Sequence, residues 1–469
     1  MNNIWNNQSL SEALEVKVGS GFTSGGILQF NSKDVRSGDI FIALQGANGN
    51  GHDYALNAFE RGASCIILER EIDGIPKDKI AKVQNTQEAL RKMAKYKRSN
   101  SKAVFIAVTG SVGKTSTKEA LLHTVSIFGK SFASRGSFNN LLGITLDLAS
   151  MADDIKYAIF EVGMNHLGEI RELIPYIAPD IALINNIMPV HIGNFASLDG
   201  VADAKLEILE GLNPKDGIAI FNKDNVYYDY CCDKAKTLGI NKILSFGDAQ
   251  FNTNPDSSLV EYEYLDNIGS HIIKIGSNDI VFKTKIGGRH RVLNLAPVLL
   301  ICQILGLDLN LAAENFIGLE EPKGRGRITE IKHNRQSCII IDDSYNASPV
   351  AIQESLKHLK EVKHHYKVAI LGDMRELGDK EIEYHVNLKP QIIESGIKKL
   401  HTVGKLMYEL HSVLPVDIRG NHFADYEEVI NHLDDIIDRD MMILLKASKG
   451  IKLWQVVDTL LAESIEKKA

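Results

Sequence analysis

Short apolar runs separated by helical patterns recur along this chain. In its middle part the runs "KYAIFEVGM", "DIALINNI" and "GIAIFNKDN" each carry their polar residues at the carboxyl end. Strands that alternate with helices in this way are typical of a doubly wound parallel sheet, in which ligands bind at the carboxyl ends of the strands. The pattern therefore predicts an α/β fold. It also predicts that the residues at which these runs end contact the ligands.

Two interruptions of this pattern divide the chain of 469 residues into three predicted domains. The helical pattern "TQEALRKMAKYKRSNSK" runs into a polar, charged joint, and "GLEEPKGRGR" breaks regular structure at Pro322, Gly324 and Gly326. Beyond the second break, "SCIIIDDSYN" and "MMILLKASKG" again have the pattern of strands that end in charge or glycine. We predict a small α/β domain at 1–98, a central doubly wound sheet at 99–316 and a Rossmann-like α/β domain at 317–469.

Composition and charge exclude several classes of protein. The chain is 44% hydrophobic and 24% charged, and its net charge of -7 offers no general attraction to nucleic acid or to an anionic membrane. The start of the chain has no basic region followed by an apolar stretch, and the most apolar helical run, "NLAPVLLICQILGLDL", is too short to span a bilayer. The five cysteines have no C-x-x-C spacing, which argues against a disulfide framework or a zinc site. We therefore expect no nucleic-acid partner, no membrane insertion and a cytoplasmic location.

The stretch "AVFIAVTGSVGKTSTKEALL" predicts a strand, a tight turn and the start of a helix. Gly110 and Gly113 would let backbone N–H groups point inward, and the helix N-terminus adds partial positive charge. Lys114 would then reach the terminal phosphates of a nucleotide, while the hydroxyl of Thr115 would hold magnesium. The usual phosphate-loop pattern has glycine where this chain has Val108, so a chance Gly-Lys-Thr after a strand is the alternative. The predicted nucleotide-binding turn comprises Gly110, Ser111, Val112, Gly113, Lys114, Thr115 and Ser116.

Two further groups lie at the ends of predicted elements. Glu161 ends the run "KYAIFE", where a carboxylate would meet the magnesium of the phosphate loop, and Gly163 follows it closely. The alternative is an ordinary surface glutamate at a strand end. Asn139 and Asn140 precede a predicted helix, where their amides could hydrogen-bond a polar substrate or simply cap the helix.

Motifs along nearly the whole chain resemble those of the Mur ligases. They occur in the order "TGSVGKTSTKEAL", "FNN", "EVGMNHLGEI", "VHIGNFASLDGVADAK", "NKDN", "GRGRITEI", "IIDDSYNASP", "LGDMRELG" and "LLKASKG". The most specific are "VHIGNFASLDGVADAK" and "DDSYNASP". The likeness is greatest to the branch that adds D-alanyl-D-alanine to UDP-N-acetylmuramoyl-tripeptide, a step of peptidoglycan synthesis.

This resemblance implies an activity, its cofactors and a role for each domain. ATP, with Mg²⁺, would phosphorylate the terminal carboxylate of the UDP-tripeptide, and the amine of the dipeptide would then displace phosphate from the acyl phosphate. The N-terminal domain would bind the UDP-sugar, the central domain ATP and the C-terminal domain the dipeptide, in a monomer. The alternatives are another Mur-type or folylpolyglutamate-type amide ligase and, from a different class, an ATP-binding switch that ligates nothing.

The resemblance also implies roles for residues of the central domain. Lys114 would hold the β- and γ-phosphates, Thr115 and Glu161 the first magnesium, and His191 would lie near the second metal. Lys205 matches a lysine that several Mur ligases carry as a carbamate, although it could be an ordinary lysine on a helix surface. The base contact is implied for Asn294, whereas the asparagine that relatives carry three positions earlier is Arg291 here.

Residues of the outer domains follow from the same resemblance. Arg327 would contact the phosphates and Asp343 the ribose, with Arg325 and Asp342 close enough to compete for these roles. Ser448 and Lys449 would lie near the peptide and the amine, although Lys449 stands where arginine is usual. In the first domain, Ser32 matches a serine of the UDP-binding region.

Overall fold

In a computed structural model, the protein is described for residues 3–46, 49–136, 138–189, 195, 197–265, 268–334 and 336–466. It consists of three successive α/β units, each built around its own sheet. The α/β fold with a central parallel sheet that the sequence predicts is thus confirmed. Over these residues, no helix combines the length and the apolar character needed to cross a bilayer.

The N-terminal unit is a four-stranded parallel sheet in the order β3-β4-β7-β8, with two small antiparallel strand pairs beside it. Its strands are β1 Trp5–Asn6, β2 Ser24–Gly25, β3 Leu28–Gln29, β4 Ile40–Ile42, β5 Gln45–Gly46, β6 Gly49–Asn50, β7 Cys65–Leu68 and β8 Ile80–Lys82. Its helices are α1 Asn7–Leu14, α2 Ala55–Glu60 and α3 Thr86–Asn100. The indole N–H of Trp5 donates to the carbonyl of Ala149 at 2.7 Å, which joins this unit to the next.

The central unit is a nine-stranded sheet in the order β10-β11-β9-β12-β13-β14-β15-β16-β17. Its strands are β9 Val104–Thr109, β10 Ser131–Ala133, β11 Tyr157–Glu161, β12 Ile181–Ile184, β13 Ile218–Asn222, β14 Lys242–Asp248, β15 Ser257–Leu265, β16 Ile268–Ile275 and β17 Asn278–Thr284. Its helices are α4 Lys114–Val125, α5 Leu141–Ala149, α6 Glu169–Ile177, α7 Leu198–Leu206, α8 Tyr228–Thr237, α9 Arg289–Leu293, α10 Leu295–Ile304 and α11 Leu309–Glu314. Pairing is parallel from β10 to β15 and antiparallel from β15 to β17, an extension the sequence analysis did not predict.

The C-terminal unit is a six-stranded sheet in the order β18-β19-β23-β20-β21-β22. Only β18 is antiparallel to its neighbour within this described sheet, and the other pairs are parallel. Its strands are β18 Arg327–His333, β19 Gln336–Asp343, β20 Lys367–Gly372, β21 Lys399–Val403, β22 Arg419–Phe423 and β23 Met441–Lys446. Its helices are α12 Pro349–Glu361, α13 Glu381–Val386, α14 Lys389–Glu394, α15 Lys405–Val413, α16 Tyr426–Asn431, α17 Leu433–Ile436 and α18 Leu453–Glu466.

The predicted domain boundaries fall at the ends of helical segments. Residue 98 lies in the last turn of α3, and residue 316 lies in the 3-10 turn Asn315–Gly318. After that turn, the segment 319–326 carries the chain from the central unit to β18. The carboxyl ends of β9, β11 and β12 face this segment and the end of β19 across a cavity of about 350 Å³.

Candidate active site

The turn after β9 has the geometry of a phosphate-binding loop. Helix α4 begins at Lys114, and Gly113 precedes it with a φ of 82°, which favours glycine. A Cβ atom at Gly113 would lie 2.9 Å from Nδ2 of Asn185 and 3.0 Å from Oδ1 of Asn294. Glycine therefore lets both amides approach the start of the helix.

The loop is held by the chain that leaves β12, a contact that the sequence analysis missed. Asn186 accepts from the N–H of Ser111 through its carbonyl at 3.0 Å and from the N–H of Val112 through its side chain at 2.9 Å. The hydroxyl of Ser111 donates to the carbonyl of Met188 at 2.9 Å. The signal was present in "DIALINNI", whose two final asparagines follow a strand next to β9.

Lys114 is folded back onto its own loop. Its Nζ donates to the carbonyl of Gly110 at 2.6 Å. Burial lowers the pKa of Lys114, Glu161 opposes this shift and the positive charge of Arg325 adds to it. A half-buried cation at the end of a phosphate loop has a strong electrostatic reason to bind an anion.

Glu161 lies below the loop at the end of β11. It is 1% exposed, so it is not a surface glutamate. Its Oε2 accepts from the hydroxyl of Thr115 at 2.6 Å, and its Oε1 accepts from the amide of Asn139 at 3.0 Å. A Cβ atom at Gly163 would lie 2.6 Å from the amide of Asn139, so glycine makes this approach possible. The side chain of Asn140 instead caps α5, accepting from the N–H of Gly143 at 3.0 Å.

The oxygen donors of Thr115 and Glu161 suit a hard cation such as Mg²⁺. Lys205, on α7, is 4% exposed, and burial together with the charge of Lys114 holds its pKa well below the usual range. His191 lies outside the described residues. Within the described ranges, no group of three or more His, Cys, Asp or Glu side chains could hold a metal ion by itself.

The C-terminal unit contributes a wall to the cavity. The wall includes Asp343, Arg325 and Tyr345, opposite Asn294 and the phosphate loop. Ser32, Ser448 and Lys449 are not among the residues that line this cavity. Ser32 is buried at the start of the 3-10 turn Ser32–Asp34 in the N-terminal unit.

The structure distinguishes the two neighbouring aspartates at the end of β19. Asp342 shapes its own loop, since Oδ2 accepts from the N–H of Gly324 at 2.8 Å. Asp343 faces the cavity and accepts through Oδ2 from Lys446 at 2.8 Å, from Arg291 at 3.3 Å and from the hydroxyl of Ser355. Burial would raise the pKa of Asp343, but the charges of Lys446 and Arg291 lower it well below its usual range.

The two competing arginines also differ in position. Arg325 lines the cavity, and its guanidinium carbon lies 4.2 Å from the centre of the Tyr345 ring. Arg327 is exposed and donates to Oε2 of Glu320 at 2.6 Å, beside a different cavity. In this arrangement Arg325, and not Arg327, faces the phosphate loop.

Comparisons with known proteins give one consistent result. Three family models match: "Mur ligase family, catalytic domain" at residues 26–98, "Mur ligase middle domain" at 108–302 and "Mur ligase, glutamate ligase domain" at 326–449. The chain is 43% identical over 455 residues to the UDP-N-acetylmuramoyl-tripeptide--D-alanyl-D-alanine ligase of Rickettsia prowazekii (strain Madrid E), covering 97% of this chain and 99% of the relative.

Solved structures agree with this match. A crystal structure of MurF from Acinetobacter baumannii superposes with a TM-score of 0.82 at 27% identity, covering 98% of this chain and 99% of that one. A crystal structure of MurF ligase from Thermotoga maritima in complex with ADP superposes with a TM-score of 0.77 at 25% identity, covering 95% of this chain and 99% of that one.

Proposed function

Since the chain belongs to the Mur ligase family, we propose that it joins D-alanyl-D-alanine to UDP-N-acetylmuramoyl-tripeptide with conversion of ATP to ADP and phosphate. It is an ATP-dependent ligase that forms a C–N bond. The observation that carries the proposal is the buried Thr115–Glu161 contact beneath Lys114, in a chain that matches a ligase of this name over 97% of its length. The product is the pentapeptide precursor of peptidoglycan.

The reaction has two steps. First, an oxygen of the tripeptide's terminal carboxylate attacks the γ-phosphorus of ATP, the bond to ADP breaks and an acyl phosphate forms. Lys114 and the N–H groups at the start of α4 hold the phosphates and offset the negative charge that otherwise repels the carboxylate. Then the dipeptide amine attacks the acyl carbon, loses a proton and displaces phosphate, which leaves an amide.

The site fits magnesium through Thr115 and Glu161, whose buried oxygens meet at 2.6 Å. When bound, Mg²⁺ would neutralise phosphate charge. Lys205 would add an oxygen ligand as a carbamate, formed when its neutral amine attacks CO₂ and releases a proton. The lowered pKa of this buried amine favours that neutral form. His191 is proposed, from the family resemblance, to lie near a second metal.

The C-terminal unit completes the nucleotide site. Among the described residues, the three donors to Asp343 bind its Oδ2, so Oδ1 can accept from a ribose hydroxyl in the cavity that this residue lines. We assign the phosphate contact to Arg325, because Arg327 would first have to leave Glu320. The amide of Asn294, beside Gly113, remains our candidate for the base contact.

The substrate contacts rest on the family resemblance and on position. Ser32 is proposed for the UDP side, Asn139 for the peptide beside Glu161, and Ser448 and Lys449 for the dipeptide. The helix cap made by Asn140 gives that residue a structural task besides any substrate contact. A cytoplasmic location is proposed because two of the three substrates, ATP and the UDP-tripeptide, are nucleotides, and a monomer remains our expectation.

The test is a product assay. The protein is incubated with ATP, Mg²⁺, UDP-tripeptide and D-alanyl-D-alanine, and the pentapeptide is expected by mass spectrometry together with ADP and phosphate. With hydroxylamine in place of the dipeptide, the acyl phosphate should be trapped as a hydroxamate. ADP and phosphate without either product would support an ATP-binding switch, and ligation of a single amino acid or of glutamate to a folate would support another amide ligase.

A further inference from the structure

A cationic cluster lies next to the nucleotide cavity, at the carboxyl end of the C-terminal sheet. It consists of Arg375, which follows β20, Lys449, which follows β23, and Arg325. Strands β20 and β23 are parallel neighbours, with Leu371 paired to Lys446, so the loops that leave them emerge at one edge. The carboxyl edge of such a sheet is where ligands bind in open α/β folds.

The two loops are joined so that Arg375 lies beside Lys449. The N–H of Arg375 donates to the hydroxyl of Ser448 at 2.9 Å, and the N–H of Ser448 donates to the carbonyl of Asp373 at 3.1 Å. A Cβ atom at Gly450 would lie 2.4 Å from Nη1 of Arg375. The guanidinium thus rests on the backbone of Gly450, one residue beyond Lys449.

One aromatic side chain lies between the cluster and the cavity. Tyr345 lines the cavity, and its ring centre lies 5.5 Å from Nζ of Lys449 and 4.2 Å from the guanidinium carbon of Arg325. An extended dipeptide spans roughly 7 Å. A dipeptide anchored at Arg375 and Lys449 therefore has the length to bring its amine toward the cavity in which the acyl phosphate forms.

In the described part of the chain, neither Arg325, Arg375 nor Lys449 forms an ion pair with a carboxylate, in contrast to Arg327, which pairs with Glu320. Cations gathered without counter-charges raise the local concentration of anions and favour binding of one. Glu376, directly after Arg375, has a φ of 66°, a left-handed conformation that turns the chain at this point.

We propose that Arg375 and Lys449 bind the C-terminal carboxylate of the incoming dipeptide. The inference rests on the proposed function, which supplies a dipeptide as the amine substrate. A guanidinium offers two parallel N–H groups to a carboxylate, a geometry that a lysine cannot reproduce. Arg375 therefore supplies the bidentate contact and Lys449 a second positive charge, while Arg325 faces the phosphates.

The test compares KM values for the three substrates. In Arg375→Ala, the KM for D-alanyl-D-alanine should rise by about 10- to 100-fold, the range for loss of a hydrogen bond to a charged group. The KM values for ATP and for UDP-tripeptide should stay unchanged. Arg439→Ala removes the same charge at the opposite edge of the sheet, where Arg439 pairs with Asp438, and serves as the matched control. Thermal unfolding of each variant reports on folding.

Two further arms identify the carboxylate. D-alanyl-D-alaninamide lacks the negative charge, so it should be a poor substrate for the wild type. Its KM should rise only slightly further in Arg375→Ala, because the charge that Arg375 binds is already absent. The double variant Arg375→Ala/Lys449→Arg should regain part of the dipeptide affinity, because it restores a guanidinium beside Gly450. An unchanged KM for the dipeptide in Arg375→Ala, or a rise confined to ATP or UDP-tripeptide, would overturn the inference. Absence of pentapeptide formation by the wild type would instead overturn the proposed function.

Discussion

Lys114 is the residue on which phosphate binding most depends. Its half-buried side chain lies at the start of α4, where an anion would offset the partial burial that lowers the pKa of Lys114. We expect Lys114→Ala to abolish ligation and to leave UDP-tripeptide binding nearly intact, because Ser32 lies in a different unit. Product formation and titration calorimetry measure the two effects. Turnover within about tenfold of the wild type would contradict a phosphate role for this residue.

Lys205 allows a test by chemical rescue. If its carbamate supplies oxygen ligands, Lys205→Ala should lose activity, and formate or acetate should restore part of it by occupying the vacated space. The buried position on α7 leaves room for such a small anion only in the truncated variant. Assays over a range of formate concentrations measure the rescue, with the wild type as the control for general salt effects. Near-normal activity of the variant without formate would exclude this role.

For the acidic pair at the end of β19, the sequence does not predict which of the two side chains faces the cavity. Successive side chains of a strand point to opposite faces, so one of two adjacent aspartates faces the cavity and the other faces away. The sequence identifies Asp342 and Asp343 as candidates, but only the packing of α12 and β23 shows that Asp343 meets Ser355 and Lys446. Arg325 and Arg327 present the same problem, since Arg325 precedes β18 and Arg327 is its first residue.

At the scale of elements, the close approach of the loop after β11 and the turn before α5 is testable. Gly163→Ala would place a methyl group 2.6 Å from the amide of Asn139 and push that side chain away from Glu161. A displacement of roughly 1 Å in a catalytic site can cost about 100-fold in rate, so we expect ligation by this variant to fall by a factor of that order. Gly318→Ala is the control, since its methyl group would meet its nearest neighbour, His123, at an ordinary 3.5 Å. Equal activities of the two variants would contradict the argument.

Elements with continuous apolar runs were predictable, and elements with other patterns were not. The strands β11, β12 and β13 are buried almost throughout. Their continuous apolar sequences therefore predict a parallel sheet that is covered on both faces. In the antiparallel extension β15 to β17, exposed and buried residues alternate along β17. Such a half-polar sequence is harder to distinguish from a loop than a continuous apolar run. The sequence identifies the asparagines after β12 as polar residues at a strand end. Their hydrogen bonds to the phosphate loop join residues far apart in the sequence, so the local pattern does not predict them.

At the scale of the whole molecule, buried histidines make stability depend on pH. Burial lowers the pKa of His358 to about 3 and the pKa values of His271 and His401 to about 4. In the unfolded chain these groups titrate near pH ~6.5, so below that pH the unfolded state binds more protons than the folded state. Between the folded-state and unfolded-state pKa values, stability therefore falls as the solution is acidified, by at most about 1.4 kcal/mol per pH unit for each histidine.

We expect the thermal unfolding midpoint to decrease between about pH 7 and about pH 5, and the decrease to be smaller in His271→Phe. The ring of His271 packs between Tyr262 and Phe282, and neither of its nitrogens has a hydrogen-bond partner in the described structure, so phenylalanine suits this position. Scanning calorimetry over this range measures both slopes. A midpoint that stays constant or rises on acidification would contradict the prediction.

The last prediction concerns how the central and C-terminal units are held together. Arg291 of α9 is 5% exposed and reaches Asp343 across the joint at 3.3 Å, while Ser116 of α4 reaches Glu321 at 3.0 Å. A Cβ atom at Gly326 would lie 2.1 Å from the guanidinium carbon of Arg291, so the connecting segment closes tightly around this side chain. The contact joins the central unit to the carboxylate proposed for the ribose.

Arg291→Ala should therefore favour an open arrangement of the two units. The apparent affinity for the nucleotide is proportional to the fraction of molecules that are closed. When that fraction decreases, we expect binding of a non-hydrolysable ATP analogue to weaken by about tenfold or more. Small-angle scattering should give a larger radius of gyration for the variant without ligand, and a smaller difference from the wild type at saturating analogue and UDP-tripeptide. Arg439→Ala, whose ion pair with Asp438 lies within one unit, should behave as the wild type. If the Arg291 variant scatters and binds like the wild type, the units are held by their remaining contacts and Arg291 does not control closure.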